Sequence, residues 1–277
     1  LTGNPNYYRG AATYDRVVVK KVPQSANRVA ILLSGGAQIA EHLTPKEYDS
    51  LSRAKNVSVV GVKGNENMFM ILNFKSPPFD NPLVRRAIAH AVPYGRIIDM
   101  SYFGKAHKWA GVVPSTYPGF HVASTQYDYN PEKAKALLAE AGYPGGEGLE
   151  AFPDSFKLTY MLERESEMGP TATILHTALR EIGINVELNP IPQAQYGDRE
   201  LVKKDLPMGL TAHIKPIGVD AAYGVGGLGR IAQSDAVVGR HALFNDDEVL
   251  VLLAQFDLAL LGLAVYDTVD QGAPVFF

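Results

Sequence analysis

Cysteine is absent from the 277 residues. Thiol catalysis, disulfides and Cys-based zinc sites are thereby excluded, and the composition suits an oxidising compartment where a stray thiol is a liability. There is no basic block, and the net charge is −3, which argues against nucleic acid as a partner. Long apolar runs are also missing. The longest, 249–266, is interrupted by Gln255 and Asp257 and reads as a buried helix rather than a membrane span. Residues 1–277 contain no signal peptide and do not begin with Met, which suits a mature or trimmed chain. GxSxG and HExxH do not occur, and the seven histidines are scattered without metal-ligand spacing. No catalytic residue, metal ligand or cofactor is therefore assigned. What remains is a chain that is 46% hydrophobic, enough for a packed core. Its length suits two lobes or one large α/β domain.

Two glycine motifs invite a nucleotide reading. Residues 32–38 read LLSGGAQ, close to the signature of ATP-binding-cassette ATPases. That signature completes a phosphate site built by a GxxxxGK[ST] loop, and no such loop is found here. A tight turn at Ser34, Gly35 and Gly36 is the reading that remains. Gly224, Gly226 and Gly229 satisfy GxGxxG, with Asp246, Asp247 and Glu248 at about the distance of a ribose-binding acid. The fingerprint needs a strand before it and a helix after it. Pro216 and Gly218 break the first, and 230–235 is too short and polar for the second. A nucleotide-dependent α/β enzyme using the 224–229 loop is the alternative function.

Local signals alternate between strand and helix, which places the chain among α/β proteins. Strands are expected at 17–19, 57–62, 68–73, 156–162 and 184–188, from β-branched runs bounded by Gly, Pro and polar residues. A helix should start at Asn81-Pro82 with Val84, Ala87, Ile88 and Ala91 inward, and end at Pro93. Another should start at Asn130-Pro131, bury Ala134, Leu137, Leu138 and Ala141, and stop at Gly142. Residues 145–154 read as a surface loop, and 170–182 as a helix stopped by Gly183.

The order of motifs is itself informative. GNPNYYRG, ILLSGGAQIAEHLTPKEY, MILNFKSPPFDNPLVRRAIAHAV, YNPEKAKALLAEAGYPGG and ILHTALREIGINVEL follow one another along residues 3 to 188. In this order they resemble the family 5 extracellular solute-binding proteins of ABC transporters, the dipeptide- and oligopeptide-binding group. The resemblance implies a two-lobed periplasmic binding protein fold, type II-like, with lobe one incomplete in this chain. Residues 1–66 would be part of lobe one, 67–265 the ligand-closing lobe two, and 266–277 a return segment toward the hinge. The LLSGGAQ stretch would be a helix ending in Ser-Gly, then a short strand and a turn into the next helix. The implied function is the substrate-binding subunit of an importer, periplasmic or membrane-tethered outside the cell. Its implied partners are a small-molecule or peptide ligand, a permease and the missing remainder of the parent chain.

Site residues follow from the same resemblance. Arg164 falls on an arginine that holds the ligand's carboxylate in dipeptide-binding relatives, a task suited to a guanidinium fork. A surface ion pair with Glu163, Glu165 or Glu167 is its alternative. In the loop LTAHIKPIGVDAAYG, His213 replaces a tryptophan of the peptide binders, and Pro216 replaces the aspartate that neutralises a peptide's α-ammonium. Asp220 could supply that charge if the loop is re-routed. His213 and Lys215 would favour an anionic or hydroxylated ligand, with a structural role the alternative for His213. Tyr223, Tyr117 and Trp109 are stacking candidates or packing residues.

Overall fold

The computed structural model describes residues 1–61, 66–108, 127–214, 253–258 and 263–266. Two sheets organise them. The smaller has the order β1-β9-β2, with β1 at Ile39–Ala40, β2 at Val57–Val60 and β9 at Leu263–Tyr266, all antiparallel. Helices α1 (Ser25–Leu33) and α2 (Pro45–Leu51) accompany it, and Leu32, Ala40, Leu43, Tyr48, Leu51 and Val57 form its core. The expected helix, Ser-Gly turn, short strand and second helix are all present. The chain leaves α1 through Ser34 and Gly35, whose φ is 73°. Thr44 then starts α2 with a reciprocal cap: its N–H donates to Glu47 Oε2 at 2.7 Å, and its hydroxyl accepts from Glu47 N at 3.3 Å.

The larger sheet has the order β4-β8-β3-β7-β5-β6. Its strands are β3 (Glu66–Leu72), β4 (Ala106–Lys108), β5 (Lys157–Met161), β6 (Glu187–Ile191), β7 (Met208–Ile214) and β8 (Leu253–Leu258). β3 pairs antiparallel with β7 and β8, whereas β5 runs parallel to both β6 and β7. Parallel neighbours need a crossover, which α6 (Glu165–Glu181) provides between β5 and β6. Helices α3 (Pro82–Ala91), α4 (Tyr94–Tyr102), α5 (Pro131–Glu140) and α7 (Gln193–Gly197) complete this part. A π-helical turn, Asp198–Lys203, continues α7.

The capped helices start where their signals place them. Asn81 Oδ1 accepts from Leu83 N and Asn130 Oδ1 from Lys133 N, both at 2.9 Å, and a proline follows each cap. Val84, Ala87, Ile88 and Ala91 of α3 are buried, as are Ala134 and Leu138 of α5, with Leu137 and Ala141 packed at the margin.

Several expectations need correction. Residues 17–19 are no strand: Val18 and Val19 are 59% and 79% exposed, and the nearest ladder contact is a lone bridge between Thr2 and Arg16. A β-branched run becomes a strand only when another strand takes up its hydrogen bonds. The run 249–266 is not a helix where it is described, since β8 and β9 fall within it, one in each sheet. Apolar runs do not separate buried strand from buried helix by periodicity, and Gln255 and Asp257 stand two apart, the strand repeat. Helix α6 starts five residues before Pro170, which lies inside it. Gly169 has no Cβ to clash with the proline ring, and Glu165 and Glu167 supply the acidic first turn. The strand expected at 184–188 is shifted to Glu187–Ile191 and contains Pro190, which an edge position tolerates.

The 145–154 stretch is anchored rather than loose, with Gly146 and Leu149 buried. Gly146 and Gly183 meet backbone to backbone: a Cβ on Gly146 would lie 2.0 Å from Gly183 O. Both have positive φ, 89° and 92°, so glycine is required at each on two counts.

Candidate functional site

The three parallel strands β7, β5 and β6 deliver their carboxyl ends to one edge of the large sheet. In open α/β sheets that edge is where ligands bind. β5 runs into a short 3-10 turn, Leu162–Arg164, and then into α6. β6 runs through Pro192 into α7, and β7 ends at His213 and Ile214. The Arg164 turn and the β7 end at His213 and Ile214 are therefore on neighbouring strand ends, β5 and β7 being paired at Thr159 and Gly209. That adjacency is what two sequence-distant loops need to act on one ligand.

Arg164 is engaged from two sides of its fork. Nε donates to Glu167 Oε2 at 2.9 Å and Nη2 to Glu167 Oε1 at 2.6 Å, with both side chains 23% exposed. This is the bidentate geometry in which arginine binds any carboxylate. Of the three acids offered as partners, Glu167 is the one that holds the guanidinium. Glu163 Oε2 instead accepts from Gln193 N at 2.8 Å, tying the end of β5 to the end of β6. Glu165 Oε1 accepts from the Tyr160 hydroxyl at 3.2 Å. Burial, with that carboxylate beside it, pushes the Tyr160 phenol up to about 12.

His213 stands opposite Asn67 of β3. Lys215, Asp220, Tyr223, Trp109, Tyr117, Pro216 and the glycines at 224, 226 and 229 lie outside the described residues. Among the described residues no group of three or more His, Asp or Glu is spaced to hold a metal ion.

One group escaped the sequence reading altogether. Glu200 is buried behind this edge, against Tyr196 of α7 and Thr211 of β7. A glutamate in an otherwise polar run, DRELVKKD, carries no signal of burial. It lies on the π-helical turn Asp198–Lys203, four residues after the buried Tyr196.

The family model for bacterial extracellular solute-binding proteins, family 5, middle region, matches residues 1–224. The chain belongs to that family. A heme-binding protein A of Haemophilus influenzae is 33% identical to this family 5 chain over 141 residues, 51% of this chain and 26% of the relative. The glutathione-binding protein GsiB of Escherichia coli K12 is 30% identical over 137 residues, 50% of this chain and 27% of the relative. The chain thus spans about a quarter of the length of these curated relatives. Among solved structures, the periplasmic binding protein DppA of Helicobacter pylori, in complex with the peptide STSA, superposes with a TM-score of 0.66 at 28% identity. That match covers 79% of this chain and 40% of the neighbour. MoaA of Agrobacterium tumefaciens R10, in complex with mannopinic acid, superposes at 0.64 and 22% identity, covering 81% of this chain and 43% of the neighbour, and shares the fold. The fold of this family 5 chain is the α/β periplasmic binding protein fold, of which it carries part. Among the described residues no helix is long and apolar enough to cross a membrane.

Proposed function

We propose that this chain is part of the substrate-binding subunit of an ABC importer, which captures a small polar solute by lobe closure and delivers it to a permease outside the cytoplasmic membrane. No bond is made or broken in that function. The observation that carries the reading is the convergence of the Arg164 loop and the β7 end at one sheet edge, in a chain that matches a solute-binding family along residues 1–224. The proposed division is lobe one in 1–66, lobe two in 67–265 and a return segment in 266–277, with the remainder of both lobes supplied by a longer parent chain. Closure of two lobes over a ligand removes it from water and strengthens each polar contact.

The ligand class follows from the guanidinium. A peptide, glutathione and mannopinic acid, named for three of the similar proteins, each present a carboxylate. Arg164 would exchange Glu167 for that group, and His213, Lys215, Asp220 and Tyr223 would supply further contacts from the other loop. Isothermal titration of the purified protein with a tetrapeptide, glutathione and an opine acid tests this, after native mass spectrometry has weighed any retained ligand. Saturable binding of one of them is expected. Arg164→Ala should weaken it about tenfold or more, the worth of a hydrogen-bonded charge contact. Glu167→Gln should tighten it, because a competing carboxylate is removed. Binding unaffected by either change would remove Arg164 from the site, and no binding of any carboxylate ligand would overturn the ligand class.

A further inference from the structure

Glu200 sits where a carboxylate has no business being charged. It is 7% exposed, Tyr196 is 1% exposed and Thr211 is 2% exposed, so the three side chains form a closed polar cluster within a hydrophobic core. The Thr211 hydroxyl is placed to favour ionisation of both neighbours, yet Tyr196 Oη and Glu200 Oε1 keep no hydrogen-bond partner. Tyr196 Oη lies against β7 at Gly209, where a Cβ would stand only 2.7 Å from it.

Among the described residues no counter-charge answers Glu200. Of the charged residues on and beside its own turn, Lys203 pairs with Asp198 at 2.6 Å and Arg199 with Asp205 at 3.0 Å, all more exposed than Glu200. From α7 it is faced by the Tyr196 phenol and from β7 by the Thr211 hydroxyl, and among the described residues no Lys, Arg or His acts on it. An uncompensated buried carboxylate costs far more than a buried carboxylic acid, which can also donate a hydrogen bond.

We propose that Glu200 is a proton switch built into the larger subdomain: it packs as a neutral acid, and its ionisation loosens the α7–π turn from β7. Burial, only partly offset by Thr211, pushes its carboxyl up from 4.5 to about 7. Below 4.5 folded and unfolded chains both hold the proton, and Glu200 makes no difference to stability. Between 4.5 and about 7 the unfolded chain gives up the proton while the folded chain keeps it, so stability falls as the pH rises. Above about 7 that loss is complete. Thr211 stands two residues before His213 on β7. An effect of pH on ligand capture would follow only if the proposed binding role is right, whereas the effect on stability does not depend on it.

The test is the melting temperature of the full chain between pH 5 and pH 8, for wild type, Glu200→Gln and Glu200→Leu. Wild type is expected to lose on the order of 5 °C more than either variant across that range, and both variants should melt above wild type at pH 8. Carbon-13 NMR of glutamate carboxyls in the wild-type protein gives an independent readout, in which one Glu titrates near neutrality and that signal vanishes in Glu200→Gln. Parallel melting curves for wild type and Glu200→Gln, or the absence of any glutamate titrating above pH 6, would overturn the proposal. Should neither variant fold, the wild-type titration decides.

Discussion

The two sheets are stabilised by different means. The six-stranded sheet takes five of its strands from residues 66–214, with β8 at 253–258 entering between β4 and β3, and its core runs from Met68 to Leu210 with α3, α4, α5 and α6 contributing to it. The three-stranded sheet depends on β9, at 263–266, arriving between β1 at 39–40 and β2 at 57–60. Its core is Leu32, Ala40, Leu43, Tyr48, Leu51 and Val57, while Tyr8, Val18 and Val19 nearby in sequence are exposed. A small core that waits for a distant strand loses loop-closure entropy before it gains burial. Both sheets receive a late strand, but β8 adds to a sheet that already has a large core, whereas β9 is the strand that joins β1 to β2.

The largest effects should fall in the large unit. Gly183→Ala places a Cβ 2.1 Å from Gly145 O at a backbone φ of 92°, so strain and overlap add, and a loss of about 4 kcal/mol is expected. Leu51→Ala in the small core should cost about 3 kcal/mol. Urea denaturation followed by both fluorescence and circular dichroism distinguishes how the two units share these losses. One transition that both substitutions displace means the sheets unfold together. Two transitions, with Leu51→Ala moving only the earlier, would make the small unit separately dispensable.

The helix caps sharpen the same contrast at a smaller scale. Thr44→Ala removes the hydroxyl that accepts from Glu47 N on α2 and leaves the backbone half of that cap, and Asn130→Ala removes the acceptor for Lys133 N on α5. Each should cost about 1 kcal/mol. The loss at Asn130 should be read in the main transition. The loss at Thr44 should be confined to the small unit if the two sheets unfold separately.

How much was legible follows this division. Asn81-Pro82 and Asn130-Pro131 announced α3 and α5 because caps act within one turn of the chain. The Ser34–Gly36 turn was legible from its own glycines, whereas the helix after Thr44 was legible through the resemblance alone. Pro170 misplaced the start of α6 because a proline marks a first turn only when no other start precedes it. Of the candidate site residues, Arg164 lies on the turn after β5, and the acid it pairs with is Glu167 rather than Glu163 or Glu165, a choice that the run of three glutamates in the sequence leaves open. Glu200 was not legible, because it stands among charged residues in a run whose composition is that of an exposed surface.

The smallest effect tests the weakest part of the contrast. Val17, Val18 and Val19 have the composition of a strand, yet they carry no ladder, and Val17 N donates only to Leu1 O, at 2.9 Å. Side chains already in contact with water gain little from burial and lose little on replacement. Val18→Ser together with Val19→Ser should therefore change the stability of this chain by no more than about 0.5 kcal/mol in urea denaturation. A loss above about 1 kcal/mol would mean that these valines are covered in solution, since exposed positions do not cost that much. The strand reading of residues 17–19 would then be restored, with a pairing partner to be sought beyond β1, β2 and β9. The small unit would turn out to be better defended than its exposed surface suggests, and its dependence on β9 correspondingly weaker.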